Sequence, residues 1–255
     1  MTKNLKSALA KLDRPPSGQN WVRYNFPEEL KTTQAIVSFV LGIPRISYVT
    51  GTKVIKDRIE LGINLETALS AVRGSGSAFA RAHNEKYVRA FFDYDEKRGL
   101  SDSRGGFEVG NTFFQVARDV RVPVTPTSVV LRNGKLIPIF VCGWATNPLT
   151  LFQRRLLMTI YEDAIFSLTD FQHSPAEVLF FPKDESGSGE RYAEVWGRGD
   201  YDLLSKAELR EQTDIFSAAR NLAMPIIVEA IKQRDEREKE ADVEKERSRD
   251  LPLFK

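Results

Sequence analysis

The 255-residue chain has little of the chemistry that closes small folds or holds metals. It contains one cysteine, Cys142, and two histidines, so it can form neither an internal disulfide nor a closed zinc site of cysteines and histidines. Residues 1–18 lack an export signal's apolar segment. The longest apolar run, residues 35–43, is interrupted by Ser38 and Gly42 and is about half as long as a membrane helix. We expect a soluble, cytoplasmic protein without structural zinc or a membrane partner.

What is present is ordinary for a globular protein, but the charge is unevenly distributed. The chain is 42% hydrophobic and 28% charged, with 16 Gly and 12 Pro, which excludes collagen-like, disulfide-scaffold and wholly disordered chains. Residues 1–100 carry 16 Lys and Arg against 10 Asp and Glu, whereas residues 101–230 carry 13 against 17. A basic first third suits DNA, because neutralising phosphates releases counterions. An ordinary solvated surface explains the same excess.

The first third divides into an arm and a helical region. Residues 1–20 include Pro15, Pro16 and many polar side chains, which predicts a flexible arm. Residues 21–75 are basic, and their capping residues and glycines predict three short helices. These helices are expected over residues 27–41, 52–61 and 64–74.

Three basic residues in the second of these helices are candidate DNA contacts. Lys53, Lys56 and Arg58 lie within six residues of one another. Three short helices with tight glycine turns and such a basic segment suit a helix-turn-helix-like DNA reader. A small helical bundle with basic solvent faces is the alternative.

The sequence of residues 76–231 predicts an α+β core. A helical segment precedes residues rich in β-branched and aromatic side chains, and Asn133-Gly134 is a strong hairpin signal. A long helix is expected from about residue 205, with apolar positions through Ile231. The fold class is therefore α+β, with a helical N-terminal region, a mixed sheet covered by helices and a long charged C-terminal helix or tether. The strands are expected at residues 107–117, 120–131, 135–144, 176–181 and 191–196, and the other helices at 77–99 and 148–165.

The order helix, three strands, helix, strand over about residues 77–181 resembles the core of PD-(D/E)XK nucleases. In that family an early acidic residue, an Asp opening the second strand and a Glu-x-Lys in the third gather around magnesium. Carboxylates hold the hard cation, and the Lys positions or activates water. The resemblance implies a DNA-acting protein with its site at the second and third strands.

The family's metal ligands are mostly missing from the matching positions. Glu108 could serve as the first acid, but the second-strand position has Thr125-Pro126-Thr127 and the third strand ends Val141-Cys142-Gly143-Trp144. Such a site should bind magnesium poorly, which indicates a catalytically degenerate member without a cofactor. An active magnesium-dependent nuclease remains the alternative, in which other carboxylates replace the missing ones. The candidates are Asp119 before the second strand and Glu162, Asp163 and Asp170 near the covering helix.

The C-terminal segment, residues 232–255, combines a charged tether with an apolar tip. Of the 19 residues 232–250, 15 are charged, and no heptad seam is present. The final segment Asp250-Leu251-Pro252-Leu253-Phe254 resembles the Gln-Leu-x-Leu-Phe peptide by which bacterial replication and repair proteins bind the sliding clamp. The resemblance implies that Asp250, Leu251, Leu253 and Phe254 bind that partner, although Asp250 departs from the usual Gln. Folding of Leu253 and Phe254 onto the core is the alternative.

Together these features predict a bacterial or mobile-element protein that associates with DNA and is recruited to replication forks by the sliding clamp. Two alternatives stay open. One is an active metal-dependent nuclease delivered by the clamp, and the other is a protein-interaction subunit of a larger bacterial defence or mobile-element assembly. Homo-oligomerisation is also open.

Overall fold

The computed structural model describes residues 3–42, 46–103, 105–107, 109–185 and 187–249, with side chains described up to residue 241. The first part of the chain is helical. Its helices are α1 (Lys3–Asp13), α2 (Gly18–Trp21), α3 (Glu29–Leu41), α4 (Val49–Leu61), α5 (Leu65–Arg73) and α6 (Ala78–Arg98).

Strands and two further helices make up the rest. The strands are β1 (Phe113–Ala117), β2 (Val120–Pro123), β3 (Ser128–Arg132), β4 (Lys135–Cys142), β5 (Glu177–Phe180) and β6 (Glu194–Gly197). Helix α7 (Leu151–Tyr161) connects β4 to β5 and continues into a π-helical turn, Glu162–Phe166. Helix α8 (Lys206–Arg249) ends the described chain.

The central sheet has the strand order β3-β4-β5-β6 and is mixed. Strands β4 and β5 pair in parallel through the α7 crossover, whereas the other two pairs are antiparallel. Strands β1 and β2 form a separate antiparallel pair. The predicted hairpin is confirmed: Asn133 and Gly134 have φ values of 51° and 73°, the positive values that a tight turn between twisted strands requires. The α+β prediction is confirmed.

Both faces of the central sheet are covered because its strands are apolar on both faces. In β4, Ile139 and Val141 belong to a core formed with α4, α5 and α6. The alternating residues Phe140 and Cys142 belong to a second core, formed with α1, α3, β1, β2, α7 and α8. A strand buried on both faces is expected to be continuously apolar, as residues 137–142 are.

Three segments differ from the sequence-based expectation. The strand predicted over residues 107–117 covers only Phe113–Ala117. The single strand predicted over residues 120–131 is two strands in different sheets, because Pro123 and Pro126 lack the N–H groups that a continuous ladder needs. The flexible arm predicted for residues 1–20 is wrong for residues 3–13, which form α1. Its Ala8 and Leu12 are each 5% exposed and pack into the second core.

The long C-terminal helix α8 confirms the predicted start and apolar extent. Ala219, Ala223, Ile227 and Ile231 are buried at four-residue spacing, which places them on one face of the helix. This face packs along α3, and Ile231 is the last buried residue described. Among the described helices, none combines the length and apolar character needed to span a bilayer.

Candidate nucleic-acid interface

A groove of about 950 Å³ opens where the chain leaves the end of β4. We call it the basic groove. Its walls come from five segments that are distant in sequence, together with Lys11 and Arg23. The five segments are residues 16–20, 38–42, 46–56, 125–127 and 141–144.

Close packing of the start of α4 and the end of β4 against α6 forms one wall. A Cβ atom on Gly143 would lie 2.7 Å from the Tyr87 ring and 2.9 Å from the Tyr48 ring, and one on Gly51 would lie 2.6 Å from Oδ1 of Asn84. Any side chain at either glycine would therefore push α4 away. The Gly51 N–H donates to the same Asn84 oxygen at 3.0 Å, which fixes the start of α4 at the rim.

The charged side chains lining the basic groove are all cationic among the residues that the structure describes. Lys53 and Lys56 lie one turn apart on α4, Lys11 comes from α1, and Arg23 follows α2. Lys11 Nζ donates to a backbone carbonyl of α3 at 3.0 Å. Lys56 Nζ lies 3.8 Å from the Glu60 carboxylate, which is too far for a hydrogen bond. Four cations and no carboxylate among the described lining residues favour an anionic ligand.

The basic groove also exposes aromatic rings. Phe39 is 36% exposed and stacks on Tyr24 with ring centroids 4.9 Å apart. Tyr48 and the partly exposed Trp144 line the neighbouring walls, and the Arg23 guanidinium lies 4.7 Å from the Trp144 ring centroid. The lining therefore combines cations with planar apolar surfaces, the combination that single-strand-binding grooves use.

A buried guanidinium lies beneath this surface. Arg191 is 8% exposed, and no carboxylate pairs with it within the described chain. It donates instead to the backbone carbonyls of Gly143 at 2.9 Å and Phe181 at 2.7 Å, and to the Tyr48 hydroxyl at 2.8 Å. The Tyr48 ring lies 5.0 Å from the guanidinium carbon. A buried cation without a counterion adds to the positive potential of the groove.

The structure brings two of the three predicted DNA contacts together and separates the third. Lys53 and Lys56 both line the basic groove. Arg58 points to another side of α4, where its Nε donates to the Asp95 carboxylate at 2.7 Å and its guanidinium covers the Phe92 ring. Its other donor, Nη1, bonds the carbonyl of Ile63 at 3.1 Å. Arg58 therefore holds α4 to α6 and does not line the groove.

The two strand positions that would form a nuclease site also meet in the basic groove. Residues 125–127 and 141–144 lie side by side, and the Val141 N–H donates to the Thr127 hydroxyl at 3.0 Å. Within the described ranges, no cluster of three His, Cys, Asp or Glu side chains could hold a metal. Asp119 is distant, in the exposed β1–β2 turn beside Arg220, and Glu108 lies outside the described residues.

The other side chains that could act as nucleophile or acid are buried, paired or absent from the groove lining. Cys142 lines the groove but is buried, and burial raises the pKa of its thiol to about 12, so the thiolate is scarce at neutral pH. Glu162 pairs with Arg198 and is absent from the groove lining. Asp163 and Asp170 are exposed and are absent from the groove lining.

Sequence reasoning missed most of the basic groove. Lys11, Arg23, Tyr48, Trp144 and Arg191 lie in five separate segments, and no spacing pattern connects them. Helical periodicity in residues 3–13 could have placed Lys11 on an ordered helix. The predicted clamp-binding residues Asp250, Leu251, Leu253 and Phe254 lie outside the described residues.

Comparison with known proteins gives no family, relative or fold neighbour for the chain. No protein-family model, no curated protein and no solved structure matches it.

Proposed function

We propose that this protein binds DNA through the basic groove and acts as a binding module without cleaving DNA. One observation carries the proposal: the groove is lined by four cations and, in the described part of the chain, by no carboxylate. Phosphate oxygens are the natural partners of such a surface. The basic charge excess of residues 1–100 supports the same ligand, because every one of the four cations belongs to that segment.

The resemblance to the PD-(D/E)XK nuclease core supports the proposal at two positions, although four strands in two sheets, and not three strands, lie between α6 and α7. The groove lies at the second-strand and third-strand positions of that resemblance, where Thr127 and Cys142 stand in place of charged groups. A degenerate nuclease that lost its metal ligands but kept its DNA-binding cleft would have such a lining. The proposal is therefore a nuclease-like scaffold retained for binding.

The C-terminal segment extends the proposal to recruitment by the bacterial sliding clamp. After Ile231, the last buried residue described, α8 continues through Arg249. These 18 residues add about 27 Å of helix at 1.5 Å per residue. Such a charged extension would hold the segment from Asp250 to Phe254 away from the core, where apolar anchors could enter a partner's pocket.

Lys53 and Lys56 provide the test of DNA binding. Changing both to Ala should weaken the affinity for DNA of unrelated sequences by a similar factor, because phosphate contacts carry no sequence information. Fluorescence anisotropy with labelled oligonucleotides measures the effect. The matched control is the double change of Lys97 and Lys135 to Ala, since both are exposed and absent from the groove lining.

Two results would contradict the proposal. If the Lys53→Ala, Lys56→Ala variant bound DNA as tightly as the native protein, the basic groove would not be the DNA-binding site. Cleavage of the same DNA in millimolar magnesium, abolished by Glu108→Ala or Asp119→Ala, would favour the active nuclease instead.

A second candidate function is supported by an apolar stretch on α8. Leu222 and Ile226 lie one turn apart on the same side of α8 and are 44% and 49% exposed, so they form an apolar surface on a helix that buries its other face. A protein-interaction subunit of a larger assembly would use such a surface. Light scattering of the purified protein and of a Leu222→Asp, Ile226→Asp variant tests self-association.

A further inference from the structure

We infer that the basic groove binds single-stranded DNA, with unpaired bases against its aromatic rings and phosphates against its lysines. The inference rests on the proposed function and names its ligand. It starts from a feature that duplex binding leaves unexplained: the exposed ring of Phe39 and the partly exposed rings of Tyr48 and Trp144 lie in a groove lined by cations. In a duplex the base faces are hidden in the stack, so proteins contact phosphates and base edges.

The size and shape of the groove favour a single strand. Its volume of about 950 Å³ is enclosed by five chain segments and is near the upper end of the range for pockets that bury small molecules. A base pair keeps both of its faces in the stack of a duplex, so a duplex offers no free base face to the aromatic rings. One or two unstacked nucleotides could enter and cover them.

The side chains that α4 and its N-cap present to the groove change from aromatic to cationic along the helix, which matches the base and the phosphate of a nucleotide. Tyr48, which immediately precedes α4, and Thr52 and Lys56 within it are spaced by four residues, so they follow one side of the helix and its N-cap over about 12 Å. This side runs from an aromatic ring through a hydroxyl to a cation, and all three side chains line the groove. A base on Tyr48 would therefore have its phosphate directed toward Lys56.

Trp144 and Arg23 repeat this pairing of ring and cation. Arg23 lies over Trp144 with 4.7 Å between the guanidinium carbon and the ring centroid, so a cation and an aromatic ring again lie together in the lining. Gln19 and Asn20 bring side-chain amides to the groove. Stacking tolerates every base because each has a π-face, so we expect weak sequence preference.

Trp144 allows the inference to be tested without a label. Of the three tryptophans, Trp21 is fully buried and Trp196 is 3% exposed, whereas Trp144 is partly exposed in the groove. An oligothymidine strand should quench the tryptophan fluorescence of the full-length protein as it binds. In Trp144→Phe the quenching should disappear while anisotropy still reports binding, because phenylalanine keeps a ring for stacking.

Phe39→Leu tests the contribution of stacking to affinity. Leucine keeps the apolar contact with Tyr24 but removes the aromatic face, so the affinity for oligothymidine should fall about tenfold, within the range measured for losing one stacked base. The matched control is Phe79→Leu, which changes an aromatic side chain that is 59% exposed and absent from the groove lining. The native protein should bind oligothymidine at least about tenfold more tightly than a hairpin duplex of equal charge.

The outcomes separate the inference from the proposed function. Equal affinity for duplex and single strand, no quenching and no effect of Phe39→Leu would overturn the inference, while a loss in the Lys53→Ala, Lys56→Ala variant would leave the proposed function standing. Tighter binding of oligouridine than of oligothymidine would overturn the assignment to DNA. Binding of neither strand nor duplex would overturn both.

Discussion

Helix geometry determines which residues of α4 line the basic groove and which stabilise the fold. Residues three apart lie on neighbouring positions of a helix surface, whereas residues two apart point in different directions. Lys53 and Lys56 therefore share the basic groove, and Arg58 faces α6. The sequence could predict the helix and its cations, but it could not predict that Asp95, 37 residues later, would bind Arg58.

The pair of Arg58 and Asp95 gives a stability prediction at this scale. The Asp95 side chain is fully buried, and the Arg58 side chain is 20% exposed. Arg58→Ala would leave a buried carboxylate without its cation, so we expect a loss of about 3 kcal/mol in the free energy of unfolding. Urea denaturation measures it. The control is Lys56→Ala on the same helix, whose exposed pairing with Glu60 should contribute less than about 0.5 kcal/mol.

The same variant should respond differently to acid. Burial acts to raise the pKa of Asp95, but hydrogen bonds from Ser101 and from Arg58 outweigh it and hold that pKa below its usual value. A lowered pKa stabilises the fold above the unfolded value of about 4, and this stabilisation is lost as the pH falls through the folded value. The stability advantage of the native protein over Arg58→Ala should therefore shrink below about pH 4. A constant difference from pH 7 to pH 3 would contradict the ion pair.

At the scale of elements, local patterns predict most helices and the hairpin, and the apolar spacing of residues 3–13 also fits a helix, but the break of the strand at Pro123 and Pro126 depends on distant partners. Asn133-Gly134 determines its turn by itself, because both residues tolerate positive φ. The division of residues 120–131 between two sheets depends on which partners the strands meet after Pro123 and Pro126. That information is spread over the whole chain.

Helix α1 gives the prediction for an element. Its Leu5, Ala8, Leu9 and Leu12 follow helical spacing, and all four contact the core formed with α3 and α8. Leu12→Ala should therefore lower the free energy of unfolding by about 2–3 kcal/mol, the cost of removing a buried leucine side chain. The exposed Lys6 on the same helix is the control, and Lys6→Ala should change it by less than about 0.5 kcal/mol. If Leu12→Ala left the free energy of unfolding unchanged, residues 3–13 would be a flexible arm and not a packed helix.

At the scale of the whole molecule, the basic groove is a product of the tertiary fold. The sequence predicted Lys53 and Lys56 and the neutral strand positions 125–127 and 141–144, because each lies within one local segment. It could not predict that these segments meet, or that Arg23 and Arg191 join them, since only the packing of helices on both faces of the sheet brings them together.

Recruitment by the sliding clamp is also a prediction for the whole molecule. The full-length protein should bind a purified bacterial clamp, and Leu253→Ala with Phe254→Ala should weaken binding at least about a hundredfold, because each buried apolar anchor contributes about 1.5–3 kcal/mol. Surface plasmon resonance measures it. Asp250→Gln, which restores the usual first residue, is the matched control and should keep or tighten binding. A lower melting temperature of the double variant would mean that the tail packs on the core.

The salt dependence of DNA binding tests the central claim most directly. The logarithm of affinity falls linearly with the logarithm of salt concentration, with a slope set by the number of phosphates neutralised. For the native protein we predict a steep slope, and for Lys53→Ala, Lys56→Ala a slope reduced by about one unit for each lysine. Equal slopes for the two proteins would contradict the claim that DNA lies in the basic groove.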